Sequence, residues 1–291
     1  YERGYNYVSL ATVGKIIEKK SLLLPDTQEI VPTTRESTFR MKWVNYLSEN
    51  GWKDIDTAIV KTTGGFETKN APFEFNAPLR SIGTATFHNN NRWDVFDKKA
   101  ITAPPMDMTI KALGVADVEG VVEIGDLGWG KIPYVIYKQA YPSLNADLIY
   151  WIYEGIDVQM RKLVRFNSPI TQDTNLMFDV SYSGETIMTR DVRGVETRWL
   201  KSSTLTSTKG VSVQLAGTTE RRGIGIRPSY VWDSATGTIH KSQSIEVTMI
   251  SSGGESYFLT KKIPVSFFTN VKYPVYTDLT TTAYPNADAD V

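Results

Sequence analysis

The stretch DVQMRKLVRFN, Asp157 to Asn167, decides the fold class. Val158, Met160, Val164 and Phe166 fall on one phase of a two-residue period, with Gln159, Arg161 and Arg165 on the other, the spacing that sends alternate side chains to opposite faces of a strand. It reads as a half-buried strand. The same phase recurs upstream in STFRMKW, where Phe39, Met41 and Trp43 alternate with Arg40 and Lys42. It recurs downstream in SQSIEVTMISSGGESYFLT, where Ile245, Val247 and Met249 lead through Gly253-Gly254 to Tyr257 and Leu259, a hairpin signal. Turn markers at Asn50-Gly51, Gly64-Gly65, Asn89-Asn90-Asn91, Ser183-Gly184 and Thr236-Gly237 parcel the chain into many short strands. No long window carries apolar residues at three- and four-residue spacing, so little helix is expected. The pattern predicts an all-β protein of two antiparallel β-sandwich domains, jelly-roll or Ig-like.

At 291 residues the chain exceeds the usual length of one domain. Polar and Pro-bearing runs at Tyr137 to Asp147 and at Arg165 to Asn175 are the candidate boundaries, and the division is placed near residue 168. This gives an N-terminal sandwich over 1–168 and a second over 169–272. Residues 273–291 replace alternation with Thr and Pro and end in small and acidic residues. They are expected to form an extended arm along a neighbouring subunit, anchored by Tyr273, Tyr276, Leu279 and Tyr284.

Composition excludes several chemistries. There is no cysteine, hence no disulfide, thiolate nucleophile or Cys-ligated zinc. Lys plus Arg and Asp plus Glu stand at 32 each, so nothing marks a polyanion binder, and nucleic acid is not expected as a partner. No apolar run approaches the ~18 residues that a spanning helix needs, so a membrane is not expected either. Seven Trp and fifteen Tyr supply enough aromatic surface for sizeable cores without covalent staples.

The candidate chemical residues are few. Asp54 and Asp56 follow the Asn50-Gly51 turn one residue apart, but no further ligands follow at calcium-loop spacing. They are expected on an outward strand face with no metal, and Trp43 and Trp52 are expected to be buried in adjacent strands joined through that turn. Asn45 breaks the alternation between Trp43 and Tyr46 and predicts a bulge there. His88 and His240 lie beside turns with no nucleophile elbow before them, which argues against a hydrolytic triad. GVVEIGDLGWGK, Gly120 to Lys131, and RRGIGIRP, Arg221 to Pro228, contain G-x-G fragments without the strand–helix context of a phosphate loop, and read as turns or bulges. Trp93 in NNNRWDVFD and Trp129 in DLGWGK are the candidate platforms for stacking a sugar ring. No catalytic, cofactor-binding or metal residue is assigned.

Two stretches carry a resemblance. WVNYLSENGWKDIDTAIVKTTGGFETKNAPFEFNAP, from Trp43, and YPSLNADLIYWIYEGIDVQMRKLVRFN, from Tyr141, resemble segments of the modular β-sandwich structural proteins of tailed bacteriophage virions. The resemblance implies a non-enzymatic structural protein of a virus particle, in a capsid-surface, tail or fibre position. Its partners would be other copies of itself and other virion proteins, and its location the virion. The alternative is a glycan-binding module, receptor-binding or adhesin, at a cell surface or outside the cell, with a host-surface glycan as partner. A carbohydrate-active hydrolase would need two carboxylates about 5–9 Å apart in a cleft.

Overall fold

The computed structural model describes residues 5–7, 14–23, 30–39, 43–48, 51–54, 56–70, 74–89, 93–94, 99–100, 106–127, 131–154, 158–182, 186–190, 196–198, 204–207, 211–214, 223–226, 229–235, 241–253 and 256–284. The protein is all-β, and its two large antiparallel sheets face each other as an open sandwich. Two 3-10 turns, Pro142–Leu144 and Val265–Phe268, are the helical elements among the described residues.

The nine-stranded sheet runs, edge to edge, Leu205–Ser207, Val247–Gly253, Ser256–Ile263, Thr174–Tyr182, Met106–Ala112, Ala85–Asn89, Glu74–Pro78, Gly65–Asn70 and Asp56–Lys61. The eleven-stranded sheet runs Val121–Asp126, Lys131–Tyr141, Ala146–Glu154, Val158–Phe166, Val275–Tyr284, Gly223–Ile226, Val211–Gln214, Thr186–Arg190 and Glu196–Arg198. Ser229–Trp232 also pairs with Val275–Tyr284 and carries Ser242–Ile245 beside it. Smaller sheets join Tyr5–Tyr7, Trp43–Ser48 and Gly51–Asp54, then Gly14–Leu23 with Ile30–Phe39, then Trp93–Asp94 with Lys99–Ala100.

Strands from both sides of residue 168 pair in each large sheet. Phe178 sits opposite Ala112 in one, and Phe166 opposite Val275 in the other. The expected division at 168 is therefore corrected: residues 167–173 carry the chain from the eleven-stranded sheet, which it leaves at Phe166, to the nine-stranded sheet, which it enters at Thr174. A crossover between layers uses the same Pro and polar residues as a linker between domains. The other candidate boundary is a hairpin, with Pro142–Leu144 turning Lys131–Tyr141 into Ala146–Glu154.

The expected terminal arm is also corrected. Val275–Tyr284 is an inner strand, paired along its length with Val158–Phe166 on one side and with Ser229–Trp232 and Gly223–Ile226 on the other. Tyr276 is buried and stacks on Trp232, with ring centroids 5.8 Å apart. Tyr273 stacks on Phe268 before the strand begins. Leu279 and Tyr284 hold strand positions, and their side chains lie outside the described residues. Threonine suits a pleated surface, so the run TDLTTTAY is a strand sequence whose two faces are not distinguished by polarity.

Between the sheets, Phe66, Phe75, Phe87, Met108, Ile110, Phe178 and Leu259 meet Val135, Tyr137, Tyr150, Ile152, Met160, Val164 and Phe166 in one apolar cluster. Full burial of each such side chain stabilises by roughly 1.5–3 kcal/mol before conformational entropy is subtracted. Tyr137 and Tyr150 meet edge to face at 6.0 Å, a favoured aromatic geometry. Gly120 allows the layers to close at this point, because a Cβ there would lie 2.8 Å from the rings of both Phe66 and Tyr137. This is the structural use of the first glycine in GVVEIGDLGWGK, where a turn or bulge was expected.

The other face of the eleven-stranded sheet is buried as well. Leu127, Tyr134, Ile136, Ile149, Trp151, Leu163 and Tyr276 form a second cluster there. Its middle strands are thus covered on both sides.

Candidate functional site

Most residues flagged from sequence lie apart from one another. Asp54 ends the strand Gly51–Asp54, opposite Asn45, whereas Asp56 opens Asp56–Lys61 in the nine-stranded sheet, opposite Asn70. They do not share a strand face, which corrects that expectation. The Asp56 carboxylate accepts the Ala58 N–H at 3.0 Å and pairs with Lys69 at 2.9 Å. Among the described residues, no group of three or more His, Asp or Glu is placed to hold a metal.

Trp43 and Trp52 stand in adjacent antiparallel strands, with Ser48 opposite Gly51 and Leu47 opposite Trp52, while their side chains lie outside the described residues. Next to them the pairing passes from Asn6–Asn45 to Tyr7–Trp43 and skips Val44, so the irregularity expected at Asn45 lies one residue earlier. Trp93 pairs with Ala100 in a short ladder, and its side chain, like all of Trp129 and His240, lies outside the described residues. His88 is half-buried, between Asp107 and Glu74 on the neighbouring strands.

Two polar constellations emerge instead. The first joins the ends of the Tyr141–Asn167 stretch. Asp147 is 2% exposed, and its Oδ1 accepts the Gln139 N–H at 2.7 Å. Its Oδ2 accepts from Arg165 Nε at 2.9 Å and Nη2 at 2.8 Å, and from Asn167 Nδ2 at 2.9 Å. Gln139 can point its N–H inward because the strand bulges between Tyr137 and Tyr141, where its φ is 58°. Asn145, at φ 46°, accepts from the Gln139 side chain and donates to Ser168. Both oxygens of the Asp147 carboxylate are engaged, by donors from three residues, Gln139, Arg165 and Asn167. Such an arrangement locks a hairpin and leaves no group for proton transfer.

The second lies between the sheets. Lys162 occupies the apolar phase of its strand, between Met160 and Val164, and is 1% exposed. Lys261 does the same between Leu259 and Ile263 on the facing sheet, also at 1%. The Lys261 ammonium or amine donates to the backbone carbonyl of Asp278, which also accepts from Ser229 Oγ at 2.9 Å. Lys162 Nζ lies over the ring of Phe178, and among the described residues no hydrogen-bond acceptor reaches it. The Asp278 carboxylate is oriented toward Arg161, with Oδ2 3.9 Å from its Nη1.

Desolvation dominates both amines. It lowers Lys261 to about 7 against the attraction of Asp278. Lys162 is pushed well below the ordinary lysine range, first by desolvation and then by the nearby Lys261 charge. Burial also raises the phenols of Tyr137, Tyr141, Tyr150 and Tyr182, which therefore stay neutral. Sequence reading passed over both lysines. The signal was present, because in VQMRKLVRF and SYFLTKKI a lysine stands in phase with the apolar residues.

No protein-family model, curated protein or solved structure matches the chain.

Proposed function

We propose that the protein is a structural component of a virus particle of the tailed-phage type, built into its assembly through the surfaces of the β-sandwich. Its partners are other copies of itself and other virion proteins. The observation that carries this reading is the outer face of the nine-stranded sheet. Ile250 and Phe258 are direct cross-strand partners and both are 48% exposed, and Met177 on the next strand is 47% exposed. An apolar group of this kind on the outside of a sheet is suited to burial against another protein surface. Val121–Asp126, with Val121 and Ile124 exposed, is the edge of the eleven-stranded sheet among the described residues, and an edge strand is the kind of element that sheet-to-sheet association uses. The resemblance of the Tyr141–Asn167 stretch to phage structural proteins agrees with a scaffolding role, since its Asp147, Arg165 and Asn167 are consumed in locking the hairpin. The C-terminal strand has no part in this reading as an arm.

Sedimentation velocity and electron microscopy of the purified protein test the proposal. A defined assembly is expected, reduced by Phe258→Asp while the strand circular dichroism is retained. A protein that stays monomeric at every concentration, and that is absent from purified particles, would remove it.

A further inference from the structure

We propose that Lys162 and Lys261 form a proton-operated latch between the two sheets: the closed sandwich holds at most one proton on the pair near neutral pH, and acid that charges both amines weakens the contact between layers. The inference rests on position. Each sheet contributes one fully buried lysine at an apolar phase of its strand; one amine meets an aromatic ring, and the other a single backbone carbonyl. Placing two like charges in such surroundings is costly, because desolvation outweighs the attraction of the Asp278 carboxylate, which is directed to Arg161.

Lys162 is flanked by Tyr150 on Ala146–Glu154 and by Leu279 on Val275–Tyr284. Its own strand carries Arg161 and Arg165 on the opposite phase. Val275–Tyr284 adds Thr277 on the inner phase and Asp278, whose carboxylate is directed to Arg161. Across the core, Thr174–Tyr182 supplies Phe178 and the phenol of Tyr182, with Asp179 on the outer phase. Ser256–Ile263 carries Tyr257 and Leu259 on the same inner phase as Lys261, with Lys262 outward. Val247 and Leu176 flank Lys261 in the sheet, and Ser229 shares its carbonyl acceptor. Burial raises the phenols of Tyr150 and Tyr182, so they stay neutral and do not compensate a second ammonium.

The direction of the pH effect follows from linkage. Both folded-state values lie below the unfolded value near 10.5, so the unfolded chain binds more protons than the fold. Stability therefore falls as pH drops from about 10.5 to about 7 through Lys261, and Lys162, held well below the ordinary lysine range, adds a loss of the same sign. The surface carboxylates Glu119, Glu123 and Asp173 are lowered from ordinary carboxylate values by their lysine and backbone partners, and act only in a separate window below about pH 5.

Denaturant unfolding of the full chain between pH 5.5 and 9.5, compared with Lys162→Met, Lys261→Met and the double variant, tests the latch. In the unaltered protein the unfolding equilibrium constant should fall about tenfold per pH unit for each amine that is neutral when folded and charged when unfolded. The double variant should lose that slope. Parallel profiles for the two proteins would overturn the proposal. As a check that needs no variant, lysine side-chain carbon resonances of the folded protein should include one that titrates near pH 7 and a second that titrates well below the ordinary lysine range. Titration of every lysine near pH 10 would overturn it equally.

Discussion

Asp147 and Lys162 are buried to nearly the same degree on directly paired strands of one sheet, yet their surroundings treat them in opposite ways. Asp147 faces the donors of Gln139, Arg165 and Asn167, so the charge removed from water is recovered in charge-assisted hydrogen bonds. Lys162 faces the Phe178 ring, with a second lysine opposite. A buried charge that is fully partnered holds a hairpin in register, whereas a buried amine without an acceptor holds its proton less tightly than one in water.

Substitutions can break this contrast. The largest effect is expected at the lock: Asp147→Leu leaves Arg165 and the Gln139 N–H without their acceptor and should destabilise by about 3–5 kcal/mol, read as a lowered denaturant midpoint. Lys261→Met should have the opposite sign at pH 7, because an apolar side chain of similar length replaces an amine in an apolar layer; a gain of about 1–4 kcal/mol is expected. If both substitutions destabilised equally, the contrast would be lost.

Gly120→Ala sharpens the contrast by perturbing packing without any charge. The new methyl would displace the Phe66 and Tyr137 rings, costing about 1–3 kcal/mol with no change in the pH profile. The smallest effect belongs to exposed ion pairs. Lys61 and Glu119 pair at 2.9 Å with both side chains more than half exposed, and Lys61→Ala should leave the thermal midpoint where it is.

The two constellations differed in how far sequence could reveal them. Alternation in DVQMRKLVRFN located a strand with Met160, Val164 and Phe166 inward, and the sandwich that follows from it stands. Asp147 and Arg165 are cross-strand partners in the antiparallel pair Ala146–Glu154 and Val158–Phe166, so pairing those two strands in register would have brought acid and guanidinium together. The inward lysines were legible only to a reading that asks why a charge keeps the apolar phase. Val275–Tyr284 was opaque for a different reason. Its sheet is covered on both faces, so Tyr276 packs outward as Val275 packs inward, and no polar face remains to announce a strand. The 167–173 segment was misread because Pro169 and its polar neighbours serve a crossing between layers as readily as a boundary between domains.

Val275–Tyr284 is the central strand that joins the two halves of the eleven-stranded sheet and carries the Asp278 carbonyl to Lys261. Hydrogen exchange of the intact protein at pH 8 measures this directly. The amides of 275–282 should fall in the slowest-exchanging class together with those of 159–166, their partners along the ladder. Exchange of 275–282 at the rate of an unstructured tail, with 159–166 still protected, would contradict it.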